Sequence, residues 1–194
     1  MTITKVWLDI DDVLADTSSY AFQFHKKENP LLRNPDLLGS RQIHKMVNMS
    51  WERFWYDLPM SFWANIPKMV WADSIVNESI KFFGADNVFF LTSPIRTSAC
   101  AGGKMEWVVK NYPKLAHNLV IAHPKWELVD KSSILIDDSY TNQEEFIKRG
   151  KEKQFFLFPS LQNIKHSYIP LYHVEPNLAL FDIRALFEDL IDGD

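Results

Sequence analysis

Acidic side chains follow two apolar runs that lie far apart in the chain. The first run ends in Asp9, Asp11 and Asp12, and the second ends in Asp137 and Asp138. Carboxylates this close repel one another and raise one another's pKa, unless a cation or hydrogen bonds compensate. Such a cluster indicates a metal site or an acid/base pair. A solvated acidic turn is the alternative for one isolated cluster, but it accounts poorly for two strands that end in the same way.

Hydroxyl groups and an ammonium group complement these acids. Thr92 and Ser93 end another apolar run, and Lys104 follows on a predicted helix. Carboxylates would hold a hard cation, for which Mg²⁺ with substrate phosphate is the usual case, whereas hydroxyls and an ammonium would hold an anion. An aspartate can attack phosphorus and form an aspartyl-phosphate. A second acid would then protonate the leaving oxygen and later activate water.

Alternating strands and helices are expected to position these groups. The pattern predicts an α/β fold, with a Rossmann-like, mostly parallel sheet that carries helices on both faces. Ligands of such sheets bind beyond the carboxyl ends of the strands, where both acid clusters and Thr92 fall. Strands are predicted at Lys5–Ile10, Asn87–Thr92, Leu119–Ala122, Ile134–Ile136 and Gln154–Phe158, and helices at Ser74–Phe83, Lys104–Tyr112, Glu144–Arg149 and Leu178–Ile191.

The stretch after the first acid cluster has a different character. From about Asp16 to about Trp71 no convincing strand pattern occurs, and the spacing favours short helices, one of them with Ser50 as its N-cap. We therefore predict a core domain formed by 1–15 and 72–194, with a helical cap at 16–71 inserted after the first strand. The cap is rich in aromatic rings, most of which are expected to form its core, with one or two stacking a flat ligand.

Composition narrows the class of protein. The 194-residue chain is 46% hydrophobic and has a formal net charge of -4, with no dense run of Lys and Arg, so long nucleic acids are not expected as partners. Cys100 is the single cysteine, which excludes an intramolecular disulfide framework. No signal-peptide pattern or membrane-length apolar run is visible, so no membrane association and a cytoplasmic location are expected. The oligomeric state stays open, with a homodimer as one option.

The four elements of this chemistry together resemble the haloacid dehalogenase superfamily of aspartyl-phosphate hydrolases. Its first motif, Asp-x-Asp followed by a small or acidic residue and Val or Thr, is matched by 9–13. A strand that ends in Thr or Ser is matched by 89–92, and a Lys on a following helix by Lys104. The fourth motif, a strand ending in acids, is matched by Asp137-Asp138. The motifs occur in the family's order over nearly the whole chain.

Within this superfamily the chain is most similar to the 5′(3′)-deoxyribonucleotidases. The similarity rests on Asp-x-Asp-x-Val-Leu-Ala-Asp at 9–16, Thr-Ser-Pro-Ile-Arg at 92–96 and Lys-x-x-Trp-Val at 104–108. Asp12 departs from the pattern, because many members have Gly there. On period-two geometry, Asp9 and Asp11 are expected to point towards one site and Asp12 away from it. The cap does not align well with the family.

The resemblance implies a role for each matched residue. Asp9 would be the nucleophile and Asp11 the general acid/base. Mg²⁺ would be held by Asp9, the main-chain carbonyl of Asp11 and Asp137, with support from Asp138. The phosphoryl oxygens would be bound by Thr92, the Ser93 backbone and Lys104, with Arg96 as a weaker candidate. Phe54, Trp55 and Trp63 are the candidates for substrate contacts in the cap.

The implied function is a Mg²⁺-dependent phosphatase, a 5′-nucleotidase-like hydrolase of nucleotide metabolism. Its substrate would be a small phosphomonoester, most plainly a deoxyribonucleoside or ribonucleoside 5′- or 3′-monophosphate. The alternatives are a phosphatase of another small phosphorylated metabolite or of nucleic-acid 3′-phosphate ends. An inactive binding protein on the same fold is an alternative of another class.

Several other signals carry less weight. Gly102-Gly103-Lys104 does not form a P-loop, because the motif requires Gly at 98 and Ser or Thr at 105, where this chain has Ser98 and Met105. The six histidines show no metal-ligand spacing. Lys125 and Lys131 precede the second acidic strand and compete with Lys104 for the third-motif role, but the helix of Lys104 carries the fuller match.

Overall fold

The sheet is central and entirely parallel. The computed structural model describes residues 2–30, 42–160 and 183–188. Five strands are hydrogen-bonded in the order β3-β2-β1-β4-β5, and every neighbouring pair is parallel. The strands are β1 (Lys5–Leu8), β2 (Val88–Thr92), β3 (Leu119–Ile121), β4 (Ser133–Asp137) and β5 (Phe155–Leu157). The predicted α/β class with a parallel Rossmann-like sheet is confirmed.

Seven helices accompany this sheet in the ranges 2–30 and 42–160. Four of them follow β1 one after another, and the other three lie before β2, after β2 and after β4. They are α1 (Thr17–Phe24), α2 (Ile43–Met46), α3 (Trp51–Trp55), α4 (Met60–Ala64), α5 (Ala72–Phe83), α6 (Ser98–Asn111) and α7 (Tyr140–Lys148). Residues 183–188 are also helical, and the rest of the predicted helix Leu178–Ile191 lies outside the described residues. No helix in the described residues is both long and apolar enough to cross a membrane.

The two faces of the sheet are covered by different sets of apolar side chains. Val6 and Leu8 of β1 join the larger core cluster, whereas Trp7, between them, joins a smaller one with Phe146 of α7. Successive side chains of a strand point to opposite faces, so this division follows from the period of two. Because both faces are buried, the strands read as continuous apolar runs rather than as alternating ones.

The strand register brings the functional ends together. Leu8, the last residue of β1, is paired with Phe90 of β2 and with Ile136 of β4. The residues that follow Leu8 therefore lie between Thr92 at the end of β2 and Asp137 at the end of β4. The predicted meeting of these three strand ends at one edge follows from this register.

The segment 16–71 holds α1–α4 and, in its described part, no strand. Its apolar side chains are not separate from those of the sheet, because Phe22 and Phe54 belong to the same buried cluster as Leu8. Indole groups also tie the segment to its surroundings. Trp71 donates to the carbonyl of Val13 at 2.9 Å, and Trp107 of α6 donates to the carbonyl of residue 66 at 2.7 Å. The inserted helices thus share one continuous core with the larger cluster of the sheet.

Helix α6 begins earlier than the sequence pattern predicts. It starts at Ser98 rather than Lys104, because Thr97 caps it and accepts a hydrogen bond from the Cys100 N–H at 3.1 Å. The run of small residues and the glycine pair at 102–103 conceal the helix, since glycine has a low helix propensity. Lys104 consequently lies in the interior of a helix and is held rigidly.

Gly103 allows α6 to approach the cap helix α4 closely. A Cβ atom at this position would lie 2.6 Å from the main-chain oxygen of Met60 and would overlap the Cβ of Trp63. The backbones of the two helices can come this near only because the residue has no side chain. The contact directly precedes Lys104, so it fixes the backbone from which the Lys104 side chain extends.

We predict that Gly103→Ala lowers the free energy of unfolding by about 1–3 kcal/mol, because the added methyl group meets backbone that cannot move aside. Urea denaturation of both proteins measures the difference. The matched control is Gly102→Ala, where the methyl group would meet the flexible end of Met60 at 3.0 Å. The control should change the stability by less than about 1 kcal/mol. Equal stability of the Gly103→Ala variant and the wild type would contradict the close packing.

Candidate active site

A cavity of about 430 Å³ opens at the carboxyl ends of the central strands. Its walls come from the loop after β1, the loops after β2, β3 and β4, and the inserted helices. They are formed by Asp9, Asp11, Asp12, Thr17, Ser18, Trp51, Trp55, Trp63, Ser93, Ile95, His123, Lys125, Asp138, Ser139, Thr141 and Asn142. The cavity therefore lies where parallel α/β sheets bind ligands.

Three buried carboxylates form an oxygen-only cluster at this edge. Asp9, Asp137 and Asp138 each offer one carboxylate oxygen, and the three oxygens lie within 4.8 Å of one another. Asp137 is held by the main-chain N–H of Ser139 at 2.6 Å and by the side-chain amide of Asn142 at 2.9 Å. Carboxylate oxygens suit a hard divalent cation better than a soft one. The donor set fits such a cation.

Lys125, on a short 3₁₀ turn after β3, extends its side chain between two carboxylates of this cluster. Its ammonium lies 2.8 Å from Oδ1 of Asp9 and 2.6 Å from Oδ2 of Asp137. Burial alone would lower the pKa of Lys125, but the carboxylates of Asp137 and Asp9 outweigh that effect and raise it. Lys125 is therefore a permanent positive charge in the site. The sequence pattern favours Lys104 over Lys125, but in the structure both contact carboxylates, Lys104 that of Asp11 and Lys125 those of Asp9 and Asp137. Lys131, the third candidate, does not line the cavity.

The two oxygens of Asp9 have different surroundings. Oδ1 accepts hydrogen bonds from the Ile10 N–H at 2.8 Å and from Lys125, whereas Oδ2 has no donor among the described residues. Burial raises the pKa of Asp9 from 3.8 to about 7 against the opposing charge of Lys125, with further increases from Asp137 and Asp11. A desolvated carboxylate with one oxygen fixed and the other without a donor is suited to nucleophilic attack.

Asp11 belongs to a second group of polar contacts, on the side of β2. Its carboxylate pairs with Lys104, and it accepts hydrogen bonds from Thr17 at 2.9 Å and Thr92 at 3.4 Å. Lys104 also donates to the Thr92 hydroxyl at 2.8 Å and to the Ser93 carbonyl at 2.9 Å. The Asp11 side chain is thus outside the three-carboxylate cluster. Thr92 and Lys104 are both buried and do not line the cavity themselves, but both contact Asp11, which does. A hydroxyl and an ammonium are groups that bind an anion.

Asp12 does not point away from the site, so the expectation based on strand period is wrong. The strand ends at Leu8, and Asp12 has a left-handed backbone with φ 54°. Its side chain lines the cavity and accepts hydrogen bonds from both the N–H, at 2.9 Å, and the hydroxyl of Ser18 in the first turn of α1. Asp12 therefore anchors the first inserted helix to the loop after β1.

The three cap aromatics selected from the sequence have different positions. Trp55 and Trp63 line the cavity, with ring centroids 6.2 Å apart and planes tilted by 25°. Phe54 is fully buried against Phe22 and Trp55 and does not line the cavity. Trp51, which was not selected, does line it. Trp63 also lies under the ammonium of Lys104, 5.6 Å from ring centroid to Nζ.

Arg96 lines a neighbouring groove rather than the cavity that contains Asp9. His123, treated as an ordinary residue on sequence grounds, lies at the border of both. Asn142 is a further contributor that no motif indicates, since it acts through Asp137. The one indication in the sequence is that Asn142 is the third residue of the helix that follows the acidic strand.

The chain matches no protein-family model, and it matches no curated protein sequence. The assignment of chemistry to this site therefore depends on its geometry and on the motif resemblance.

We predict that stability depends on pH through Asp12. Burial raises its pKa from 3.8 to about 6, although the hydrogen bonds from Ser18 oppose the shift. The folded protein thus binds the Asp12 proton more tightly than the unfolded chain does. The ionised Asp12 therefore lowers the free energy of unfolding above pH 6, and this destabilisation disappears as the pH falls towards 3.8.

The neutral variant Asp12→Asn keeps an acceptor for the Ser18 N–H. It should exceed the wild type in free energy of unfolding at neutral pH by on the order of 1 kcal/mol, and the difference should shrink at about pH 4. Urea denaturation at both pH values measures this. A difference that does not change with pH would contradict the burial of an ionised carboxylate.

Proposed function

We propose that the protein is a Mg²⁺-dependent phosphomonoesterase that acts through an aspartyl-phosphate on Asp9. The observation that carries the proposal is that a cation-binding and an anion-binding group of side chains lie side by side at the carboxyl edge of the sheet, where Asp9 and Asp11 line the cavity. The oxygen cluster of Asp9, Asp137 and Asp138 suits a divalent cation, and the Lys104–Thr92 pair suits an anion. A phosphomonoester bound to a cation needs both devices side by side.

Asp9 is the proposed nucleophile. Its oxygen attacks phosphorus, the bond from phosphorus to the ester oxygen breaks, and the phosphoryl group is carried by Asp9 as an acyl phosphate. Oδ1 is fixed by the Ile10 N–H and by Lys125, which supports attack by Oδ2. The two-step route divides one difficult displacement into two easier ones.

Asp11 is the proposed general acid/base. It gives a proton to the departing ester oxygen, then takes a proton from the water that attacks phosphorus and releases phosphate and free Asp9. The Thr17 hydroxyl orients its carboxyl group. When the phosphoryl group takes Lys104 as its partner, Asp11 is released from that ion pair and can interact with the ester oxygen.

Lys104 and Thr92 bind the transferring phosphoryl group. Both side chains are buried, and the ammonium is fixed between Thr92, Ser93 and the face of Trp63. Preorganised positive charge in a site of low dielectric stabilises the charge that spreads over the phosphoryl oxygens in the transition state. Lys125 acts on the opposite side, where it fixes Asp9 and Asp137.

The proposed cation is Mg²⁺, held by Asp9, Asp137, Asp138 and the main-chain carbonyl of Asp11. When bound, it would supply positive charge to the substrate phosphate. The five carboxylates of Asp9, Asp11, Asp12, Asp137 and Asp138 and the two buried lysines give a formal charge of -3 when all are ionised, which a divalent cation reduces to -1. This balance supports a divalent rather than a monovalent ion.

Nucleoside monophosphates are the proposed substrates. Trp55, which is partly exposed at the wall of the cavity and is backed by the buried Trp63, supports a planar leaving group, because aromatic rings bind nucleobases by stacking. A cytoplasmic enzyme of nucleotide metabolism fits the free, buried Cys100.

Asp9→Asn should lower phosphate release from nucleoside monophosphates in Mg²⁺ by at least about 10³-fold, since the amide cannot form the acyl phosphate. Asp86→Asn is the matched control, because Asp86 is exposed and lies on the 3₁₀ turn that directly precedes β2, whose opposite end lies at the cavity. It should keep wild-type activity, and both variants should keep the wild-type circular dichroism spectrum. Substantial turnover by Asp9→Asn would exclude the aspartyl-phosphate route.

A substrate panel tests the leaving group. Release of phosphate from nucleoside 5′- and 3′-monophosphates, sugar phosphates and a 3′-phosphorylated oligonucleotide is compared with and without Mg²⁺. Phosphate release should be faster from the nucleoside monophosphates than from the sugar phosphates. Preference for a sugar phosphate would remove the nucleotidase assignment and leave the mechanism standing.

Lys104→Met should lower kcat/KM by about 10²–10³-fold, as expected for loss of one preorganised charge at the phosphoryl group. The variant keeps the length of the side chain but not its charge. Inhibition by inorganic phosphate gives a second measurement, and it should weaken in the same variant. Unchanged inhibition in a folded Lys104→Met protein would show that Lys104 does not bind the phosphoryl group.

A further inference from the structure

A second groove borders the candidate active site. It has a volume of about 700 Å³ and shares Trp51, Ser93, Ile95 and His123 with the walls of the first cavity. Its other walls include Tyr56 and Arg96. The groove lies between α3 and the loops that follow β2 and β3, so it continues from the carboxyl edge of the sheet. The two cavities are therefore neighbours along this edge, close enough for adjoining parts of one ligand.

The groove carries positive charge and no acid. Arg96 is exposed, and its guanidinium makes no hydrogen bond or ion pair with the residues in 2–30, 42–160 and 183–188. His123 is also exposed at the border. None of the described residues that line the groove is an aspartate or a glutamate. An exposed guanidinium that has no ion-pair partner among the described residues suits a phosphate or phosphodiester group.

The groove also offers aromatic surface. Trp51 and Tyr56 remain 39% and 41% exposed, which is unusual for rings of this size in a well-packed protein. Their ring centroids are 5.0 Å apart and their planes are nearly perpendicular, at 87°. An edge-to-face pair leaves ring surface available to a planar ligand. Aromatic rings beside a cationic side chain are the elements that bind single-stranded nucleic acid without base-specific contacts.

The volume of the first cavity is enough for the reacting nucleotide without the second groove. The first cavity, at about 430 Å³, already falls within the range of about 300–1,000 Å³ typical of small-ligand sites. A mononucleotide therefore does not need the second groove. The additional volume, charge and rings correspond to a second nucleotide.

We propose that the groove of Trp51, Tyr56 and Arg96 binds the second nucleotide of a terminally phosphorylated dinucleotide or short single strand. Arg96 contacts the internucleotide phosphate, and Trp51 and Tyr56 stack on the second base, while the terminal phosphate reacts at Asp9. This inference rests on the proposed phosphomonoesterase function and names its preferred substrate class. Lack of a dense basic run in the chain limits the preference to short strands.

The test compares thymidine 5′-monophosphate with the 5′-phosphorylated thymidine dinucleotide, using the wild-type protein in Mg²⁺. The kcat/KM for phosphate release should be about tenfold higher for the dinucleotide, in keeping with one additional stacked base. Binding is measured separately by calorimetry with the Asp9→Asn variant, which holds substrate without turning it over. The dinucleotide should bind about tenfold more tightly there as well.

Arg96→Gln and Trp51→Ala should each remove most of this preference, so that the ratio of the two kcat/KM values approaches one. Lys114→Gln is the matched control, because it removes one positive charge from an exposed position on a 3₁₀ turn before β3, and it should keep the wild-type ratio. Circular dichroism spectra confirm that each variant is folded.

The outcomes separate the two proposals. If the mononucleotide is hydrolysed and the dinucleotide is no better in either kcat/KM or affinity, the second subsite is excluded and the phosphomonoesterase stands. A preference for the dinucleotide that Arg96→Gln leaves unchanged would also exclude the groove as its origin. If neither compound releases phosphate, the proposed function fails, and this inference fails with it.

Discussion

The structure depends on two lysine ammonium groups buried among four carboxylates at the carboxyl edge of the sheet. Lys104 pairs with Asp11, and Lys125 bridges Asp9 and Asp137. Burying charges is costly, and each is tolerated only because an opposite charge and hydrogen bonds accompany it. The register of β1 with β2 and β4 is therefore both a folding constraint and a chemical one, since it brings these charges within reach of one another.

The same charges explain why the inserted helices are integral to the site. Trp63 of α4 lies beneath Lys104, and Gly103 lets α4 approach α6 closely enough for this contact. On the other side, Asp12 anchors the first turn of α1 to the loop after β1. The cavity walls therefore come from both the sheet and the inserted segment, and the aromatic side chains of that segment face a site whose charge is set by the sheet.

The sequence predicts the fold and the acid clusters well because both depend on local patterns. Buried parallel strands appear as apolar runs, and each acid follows directly at a strand end. The contacts of Lys125 with Asp9 and Asp137 cannot be predicted from the sequence, because Lys125 lies on a short 3₁₀ turn, where no periodicity indicates the direction of its side chain. Asp12 was misplaced because the chain leaves strand geometry after Leu8 and enters a left-handed turn. The separation of Arg96 from the Asp9 cavity depends on how α3 packs across two loops, a tertiary contact without a local signal.

Trapping a phosphoryl adduct on Asp9 is the sharpest test of the proposed mechanism. With p-nitrophenyl phosphate the leaving group needs no acid, so Asp11→Asn should still be phosphorylated but should hydrolyse the adduct slowly. We expect a burst of one nitrophenolate per protein molecule. Borohydride reduction of the quenched sample should then convert Asp9 to homoserine, which peptide mass spectrometry locates at position 9. A burst with homoserine at another aspartate, or slow linear release with no reduced residue, would contradict the assignment of Asp9 as the nucleophile.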